Sequence, residues 1–301
     1  MSTDTTLSVG RARAWVLAAR PRTLTAAVAP VVTGAGLAAH DGVFVLLPAV
    51  AALVGAILIQ IGTNLANDYY DFVRGGDNDD RVGPTRVTHA GLIEPATVKR
   101  AMFIVLGAAM LVGLYLVAVA GWPIIAIGLA SVVCAVAYTG GPFPLAYHGL
   151  GDVFVFLFFG LIAVGGTYFV QALSWPPDAL LAGTGLGALS TAILVVNNLR
   201  DVDTDLRAGK RTLAVRLGVA GTRIELVLLF AVGACVPVLG WRLFSWPSAS
   251  LLSLFAIPLG VGPVRTAFRY RHPAELIPAL GATARVVVVY GVLMGAGLAF
   301  G

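Results

Sequence analysis

Two stretches of this 301-residue chain place oxygen-bearing side chains at helical spacing, each where an apolar run ends. The first, Asn64 to Gly91, reads NLANDYYDFVRGGDNDDRVGPTRVTHAG and holds five of the chain's 15 acidic residues. At about 100° per residue, Asn67, Asp71, Asn64 and Asp68 fall at about −60°, −20°, 0° and +40° on a helical wheel, so four polar side chains share one face. The second, Asn197 to Gly218, reads NNLRDVDTDLRAGKRTLAVRLG. With Asn197 at the origin, Asp201, Asp205 and Asn198 lie at about +40°, +80° and +100°, and Asp203 points away at about 240°. Each face runs into a basic loop.

Carboxylate and amide oxygens without His or Cys are hard ligands, which suit Mg²⁺, with Mn²⁺ as a substitute, rather than Zn²⁺. The four histidines (His40, His89, His148, His272) are scattered along the chain and form no zinc-binding spacing. Mg²⁺ takes one or two carboxylates and completes its shell with waters and phosphate oxygens. Two such faces could grip a diphosphate between them while nearby Arg and Lys neutralise the remaining charge. Capping and solvation explain one or two Asn and Asp residues, and the later Asp77, Asp79 and Asp80 suit a solvated loop. They do not explain an aligned set at membrane depth, where polar groups are expensive and usually functional. No EF-hand spacing occurs.

The elements that must position these faces are membrane helices. The chain is 58% hydrophobic and 12% charged, with a mean hydropathy of +0.89, against about 25% charged in soluble domains. Nine apolar runs are long enough to span: Thr23–Ala39, Val43–Leu65, Val98–Val119, Pro123–Tyr138, Val153–Leu173, Ala179–Val196, Glu225–Leu243, Leu251–Phe268 and Pro278–Phe300. The expectation is an all-α, polytopic bundle with a cytoplasmic-side cavity, one domain over 1–301, with a weak parallel repeat of halves at about 15–150 and 151–275. Of the 20 Lys and Arg, all but Arg242 and Arg285 fall on one side. That places the N-terminus and both acidic loops in the cytoplasm, the C-terminus outside, and the chain in the cell membrane. It also argues against nucleic acid as the partner of the net positive charge. Arg285, inside the last span, either snorkels or supplies a buried cation. Cys134 and Cys235 sit in apolar runs and suggest neither disulfide nor metal.

One cytoplasmic loop, Tyr138 to Asp152, carries no Lys or Arg. Its glycines and prolines suit turns, Asp152 suits a helix cap, and its aromatics suit a lid or a wall for an aromatic substrate. Phe154, Phe156, Phe158, Phe159, Tyr168 and Phe169 in the next span read mostly as lipid-facing or interhelical packing. A diphosphate whose other end enters a lipid-facing cleft is an isoprenyl diphosphate, and the implied reaction is ionisation of its allylic C–O bond. The competing reading is a cation-coupled transporter with the acids as its ion site. Acids clustered at one end beside many cations suit a phosphate anion better.

Asn67-Asp68-x-x-Asp71 with Asp201-x-x-x-Asp205 resembles the paired acidic motifs of the UbiA superfamily of intramembrane prenyltransferases. Arg20-Pro21-Arg22-Thr23-Leu24, Tyr138-Thr139-Gly140-Gly141, Gly149-Leu150-Gly151-Asp152 and Gly209-Lys210-x-Thr212-Leu213 extend the resemblance over nearly the whole chain. Many members carry a third acid four residues after Asp71. Gly75 stands there, and the pattern looks most like the branch that prenylates 1,4-dihydroxy-2-naphthoate; others use hydroxybenzoate, homogentisate, haem or a glycerol phosphate. The resemblance implies Asn67, Asp68, Asp71, Asp201 and Asp205 as Mg²⁺ ligands, with Asn64 and Asn198 supporting them. It implies Arg81, Arg86 and Lys210 on the polyprenyl diphosphate, and Arg22, Tyr138, Tyr147 and Asp152 on the acceptor. Loss of the acceptor's carboxylate as CO₂ is implied by the resemblance alone.

Overall fold

A computed structural model describes residues 10–75 and 86–301; Asp77, Asp79, Asp80, Arg81 and the side chain of Arg22 lie outside the described residues. The described chain is helical, as composition requires of a chain in lipid, where every backbone polar group must be satisfied within its own segment. Ten helices follow one another: α1 (Arg11–Ala19), α2 (Pro21–His40), α3 (Leu46–Val73), α4 (Pro95–Ala120), α5 (Pro123–Ala137), α6 (Gly151–Ala172), α7 (Pro177–Arg207), α8 (Leu213–Leu243), α9 (Ser248–Arg269) and α10 (Pro273–Phe300).

Helices α2 to α10 correspond one for one to the nine expected spans. Eight are long and apolar enough to cross a membrane. The exception is α5, whose 15 residues reach about 22 Å, short of a hydrocarbon core of about 30 Å. The chain is a multi-pass membrane protein, and residues such as Ile104 and Leu111 on α4 turn outward, 71% and 69% exposed.

Several boundaries differ from the sequence expectation, and the differences build the site. Helix α3 does not stop at Leu65 but runs to Val73, and α7 runs past Val196 to Arg207. Hydropathy ends where polar residues begin, whereas a helix continues as long as its backbone bonds and one face are satisfied. At 28 residues, α3 is about 42 Å long, so its last turns project beyond the apolar layer. Helix α8 starts at Leu213, with the Thr212 hydroxyl accepting from Val215 N–H at 3.3 Å, and bends at Gly218 (φ 67°). Helix α1 was not expected as a separate element. It is divided from α2 by Arg20 (φ 51°), because Pro21 at the head of α2 disfavours helical backbone in the residue before it.

Hydrogen bonds tie the loops at each end of the bundle. At one end Tyr168 donates to Asp41 (2.5 Å), Val45 N–H to Gln171 (2.6 Å) and Trp246 to Asp178 (3.4 Å). The other end carries both acidic faces. The most enclosed helix is α7, which packs on α6, α8 and α10. Arg285 is exposed on α10, which removes the buried-cation alternative.

Helix pairs without a hydrophobic driving force between them associate through small residues that let backbones approach. A methyl group at Gly36 of α2 would lie 2.2 Å from the Gly295 carbonyl oxygen of α10, and one at Gly160 of α6 would lie 2.4 Å from that of Gly183 on α7. Overpacking costs about 1–3 kcal/mol where side chains can yield, and backbone yields less. Gly36→Val is therefore expected to lower the thermal midpoint of the detergent-solubilised protein markedly. Gly107→Val, where a new methyl meets nothing within 4 Å, is expected to leave it nearly unchanged.

Candidate active site

The extended ends of α3 and α7 meet across a cavity of about 930 Å³. Its polar end is lined by Asn67, Asp71, Arg86, Asp201, Asp205 and Lys210. Its other walls are apolar, supplied by residues such as Ala27 of α2, Met110 of α4, Ile127 of α5, and Phe158 and Ile162 of α6. One end suits a polyanion and the rest a hydrocarbon.

The wheel places Asn67 and Asp71 one turn apart on α3, and Asp201 and Asp205 one turn apart on α7. All four line the cavity. Asn64 and Asn198 stand three residues before each pair, so both helices carry Asn-x-x-(Asn/Asp)-x-x-x-Asp. That shared spacing was readable in the sequence and went unread. Asp203 is exposed and turned away, as its angle required.

Asp71 is the electrostatic hub. It is 2% exposed. Its Oδ2 accepts from Arg86 Nη2 at 2.7 Å, and its Oδ1 accepts from Tyr147 Oη at 3.1 Å and Lys210 Nζ at 3.4 Å. Lys210 also lies 4.8 Å from the centre of the Tyr147 ring. On α7, Arg200 is 3% exposed and forks onto Asp201 with Nε at 2.7 Å and Nη2 at 2.5 Å, and Nη2 also reaches Asn197 at 3.0 Å. A buried carboxylate that loses such a partner typically costs 3–5 kcal/mol. Asn67 Oδ1 accepts from Thr139 Oγ1 at 3.0 Å, which orients its amide toward the cavity.

The other expected site residues divide between the cavity wall and positions behind it. Asp68 is buried and does not line the cavity: the backbone N–H groups of Val87 (3.1 Å) and Thr88 (3.0 Å) and the Thr88 hydroxyl hold its carboxylate. Asn64 lines the cavity and ties α3 to the α1–α2 junction, donating to the Ala19 carbonyl (2.8 Å) and the Thr23 hydroxyl (2.9 Å) and accepting from Gln60 (3.2 Å). Asn198 lines the cavity. In the neutral loop, Tyr138 and Thr139 line the cavity, Tyr147 turns to Asp71, and Asp152 is buried in the first turn of α6, off the cavity wall. His148 is structural, stacked on Phe143 with Nδ1 2.8 Å from the Pro144 carbonyl.

Most aromatics of this span read as lipid-facing or interhelical packing, yet Phe154, Phe158 and Phe159 line the cavity. A π-helical stretch, Leu157–Ile162, carries Phe158 and Phe159, and Phe154 precedes it in the first turns of α6. Arg20 and Gln60 line the cavity as well and were not singled out; the Arg20-Pro21 step was the available signal for the first.

Among the described residues no three His, Cys, Asp or Glu side chains gather closely enough to hold a metal. The carboxylates lie instead on two opposed faces, each with a further amide oxygen. That donor set fits Mg²⁺, which needs few protein ligands and draws the rest from water and phosphate.

Residues 27–293 match the UbiA prenyltransferase family. The chain belongs to this family. It is 43% identical over 290 residues to a 1,4-dihydroxy-2-naphthoate octaprenyltransferase of Mycobacterium tuberculosis, covering 95% of this chain and 97% of that one. It is 39% identical to the enzyme of the same name from Escherichia coli, with 96% of each chain covered. Among solved structures, a UbiA homolog from Archaeoglobus fulgidus bound to GPP and Mg²⁺ has the same fold, with a TM-score of 0.64 at 15% identity over 93% of this chain and 99% of that one.

Asp205→Ala removes a carboxylate from the α7 face, and a single lost charge-stabilising contact costs about 10²–10³ in turnover. Prenyl transfer measured by product formation is expected to fall by at least that much, while Asp203→Ala stays within a few-fold of the parent. Equal losses would contradict the helix-face assignment.

Proposed function

We propose that the chain transfers a polyprenyl group from polyprenyl diphosphate to 1,4-dihydroxy-2-naphthoate, releasing pyrophosphate and CO₂ and giving demethylmenaquinone in its reduced, dihydroxy form. The observation that carries this reading is the asymmetry of the cavity, with two acidic faces and three cations (Arg20, Arg86 and Lys210) at one end and a long apolar lumen beyond. The acceptor rests on relatives of near full length that bear the naphthoate enzyme's name.

Asn67 and Asp71 on one side, and Asp201 and Asp205 on the other, would each hold one Mg²⁺, with Mn²⁺ as a substitute. Bound there, the metal supplies Lewis-acid stabilisation of the departing pyrophosphate. Arg86 and Lys210 are already gathered at this end by Asp71. An entering diphosphate gives them a new anion, so their charge sits beside the leaving group without reorganisation. Arg81 extends this cationic set in our reading. The allylic C–O bond breaks with its electron pair going to pyrophosphate. The ring carbon bearing the carboxylate then attacks the allylic carbon. The bond to the carboxylate breaks, its electrons restore the aromatic ring, and CO₂ leaves. Phe154, Phe158 and Phe159 exclude water from the cation. Tyr138 lines the cavity on the acceptor's side in this reading, Arg22 is assigned to the acceptor from the sequence alone, and Tyr147 acts through Asp71.

The chain works as one domain, each half carrying one acidic face. The N-terminus and both acidic faces lie in the cytoplasm, by the asymmetry of the basic residues. A cysteine at Ser174 is expected to react with an impermeant reagent added outside cells, and one at Ala208 only after the membrane is opened. The reverse pattern would overturn the orientation.

Purified protein given Mg²⁺, a polyprenyl diphosphate and carboxylate-labelled naphthoate is expected to lose the label in step with pyrophosphate release, and to stop when divalent metal is chelated. Hydroxybenzoate, homogentisate and haem run beside it distinguish branches sharing the diphosphate machinery. Prenylation of one of these with naphthoate ignored would overturn the acceptor. A chain that moves cations without releasing pyrophosphate would overturn the reaction.

A further inference from the structure

The geometry points to Asp68 as a positioning residue that clamps residues 86–88 and so sets Arg86 at the cavity, rather than as a metal ligand. The inference rests on the prenyl-transfer reading and refines it. Asp68 is 1% exposed, and both of its oxygens are engaged. Oδ2 accepts from Val87 N–H at 3.1 Å and lies 3.9 Å from Arg20 Nη2. Oδ1 accepts from Thr88 N–H at 3.0 Å and from the Thr88 hydroxyl. Its wheel position, about 60–100° from Asp71 and Asn67, turns it away from the lumen they line.

The clamped segment has little freedom left. Val87 is fully buried and packs with Leu65, Ala66, Val98 and Met102, and Thr88 is 3% exposed. Those two residues bury their N–H groups away from the helix ladder, and a buried backbone donor without an acceptor is costly. Asp68 supplies that acceptor. With positions 87 and 88 fixed, the adjoining Arg86 projects its guanidinium to within 2.7 Å of Asp71. The same carboxylate attracts Arg20, the cation at the α1–α2 junction that also lines the cavity. One acid therefore places two cations where the diphosphate is proposed to sit. A Mg²⁺ ligand must present an oxygen within about 2.1 Å of the ion, and both Asp68 oxygens face backbone and side-chain donors instead.

The test compares Asp68→Asn, Thr88→Val and Thr88→Ser with Arg86→Gln and Asp71→Asn in the full-length protein. Three readings are taken: Mn²⁺ affinity by electron paramagnetic resonance, inorganic pyrophosphate affinity in Mg²⁺, and hydrogen exchange at Val87 and Thr88. Asp68→Asn and Thr88→Val are expected to leave Mn²⁺ affinity within about twofold and to weaken pyrophosphate binding by about tenfold, comparable to one charge-assisted contact. Both should speed exchange at the two amides, and Thr88→Ser should restore near-parental values. Asp68→Asn added to Arg86→Gln should weaken pyrophosphate no further than Arg86→Gln alone. Loss of Mn²⁺ affinity in Asp68→Asn equal to that in Asp71→Asn would make Asp68 a ligand and overturn the clamp. Additive losses with Arg86→Gln, or unchanged exchange, would overturn it too. A parent protein that binds no pyrophosphate would contradict the proposed function itself, whereas a parent that binds while Asp68→Asn binds equally well contradicts only the clamp.

Discussion

Carboxylates held at the end of an apolar cavity must be neutralised, and the structure depends on how that is done. Asp71 and Asp201 are nearly removed from solvent, where an uncompensated charge is expensive. Asp71 is balanced by cations from other parts of the chain and Asp201 by its neighbour in sequence. Arg86 follows α3 and Lys210 follows α7, yet both converge on Asp71, while Arg200 comes from the helix that carries Asp201. Lys210 to Asp71 is a direct ion pair joining the two acidic segments, spanning 139 positions of sequence. Charge balance thus draws the two motifs together before any substrate arrives, and leaves at the cavity the cations that a diphosphate needs.

The bundle converts that local balance into a fixed geometry. Gly36 against Gly295 and Gly160 against Gly183 bring α2 to α10 and α6 to α7 at backbone contact, which leaves little room for sliding. The projecting ends of α3 and α7 are then held by loops: Asn64 grips the α1–α2 junction, Asp68 grips residues 87 and 88, and Thr139 orients Asn67. Helix α6, with its π-helical turn at Leu157–Ile162, serves the other half of the site, lining the lumen with Phe154, Phe158 and Phe159.

What was legible in the sequence follows from what each signal measures. Hydropathy reports transfer into lipid, so the nine spans were readable, and their ends were not, because α3 and α7 continue through polar turns that no hydropathy window includes. The helical wheel reports direction around one axis. It grouped Asn67, Asp71, Asp201 and Asp205, and it correctly dismissed Asp203. It included Asp68 because a wheel knows nothing of donors arriving from 19 and 20 positions downstream. The three cavity phenylalanines were not distinguished from the packing aromatics of the same span, because an apolar side chain looks the same in sequence whether it meets lipid, a neighbouring helix or a cavity. Asp152 looked like part of an acceptor wall by its neighbourhood in sequence, but it is buried in the first turn of α6, off the cavity wall.

The central claim is that the α3 and α7 faces hold one diphosphate between two metal sites. Electron–nuclear double resonance on Mn²⁺-loaded protein with a non-ionising prenyl thiolodiphosphate tests it most directly. The account predicts ³¹P coupling to Mn²⁺ at both faces, with Asp71→Asn removing one signal and Asp201→Asn the other. A single coupled Mn²⁺ that survives either substitution, or Mn²⁺ bound without ³¹P coupling, would contradict it.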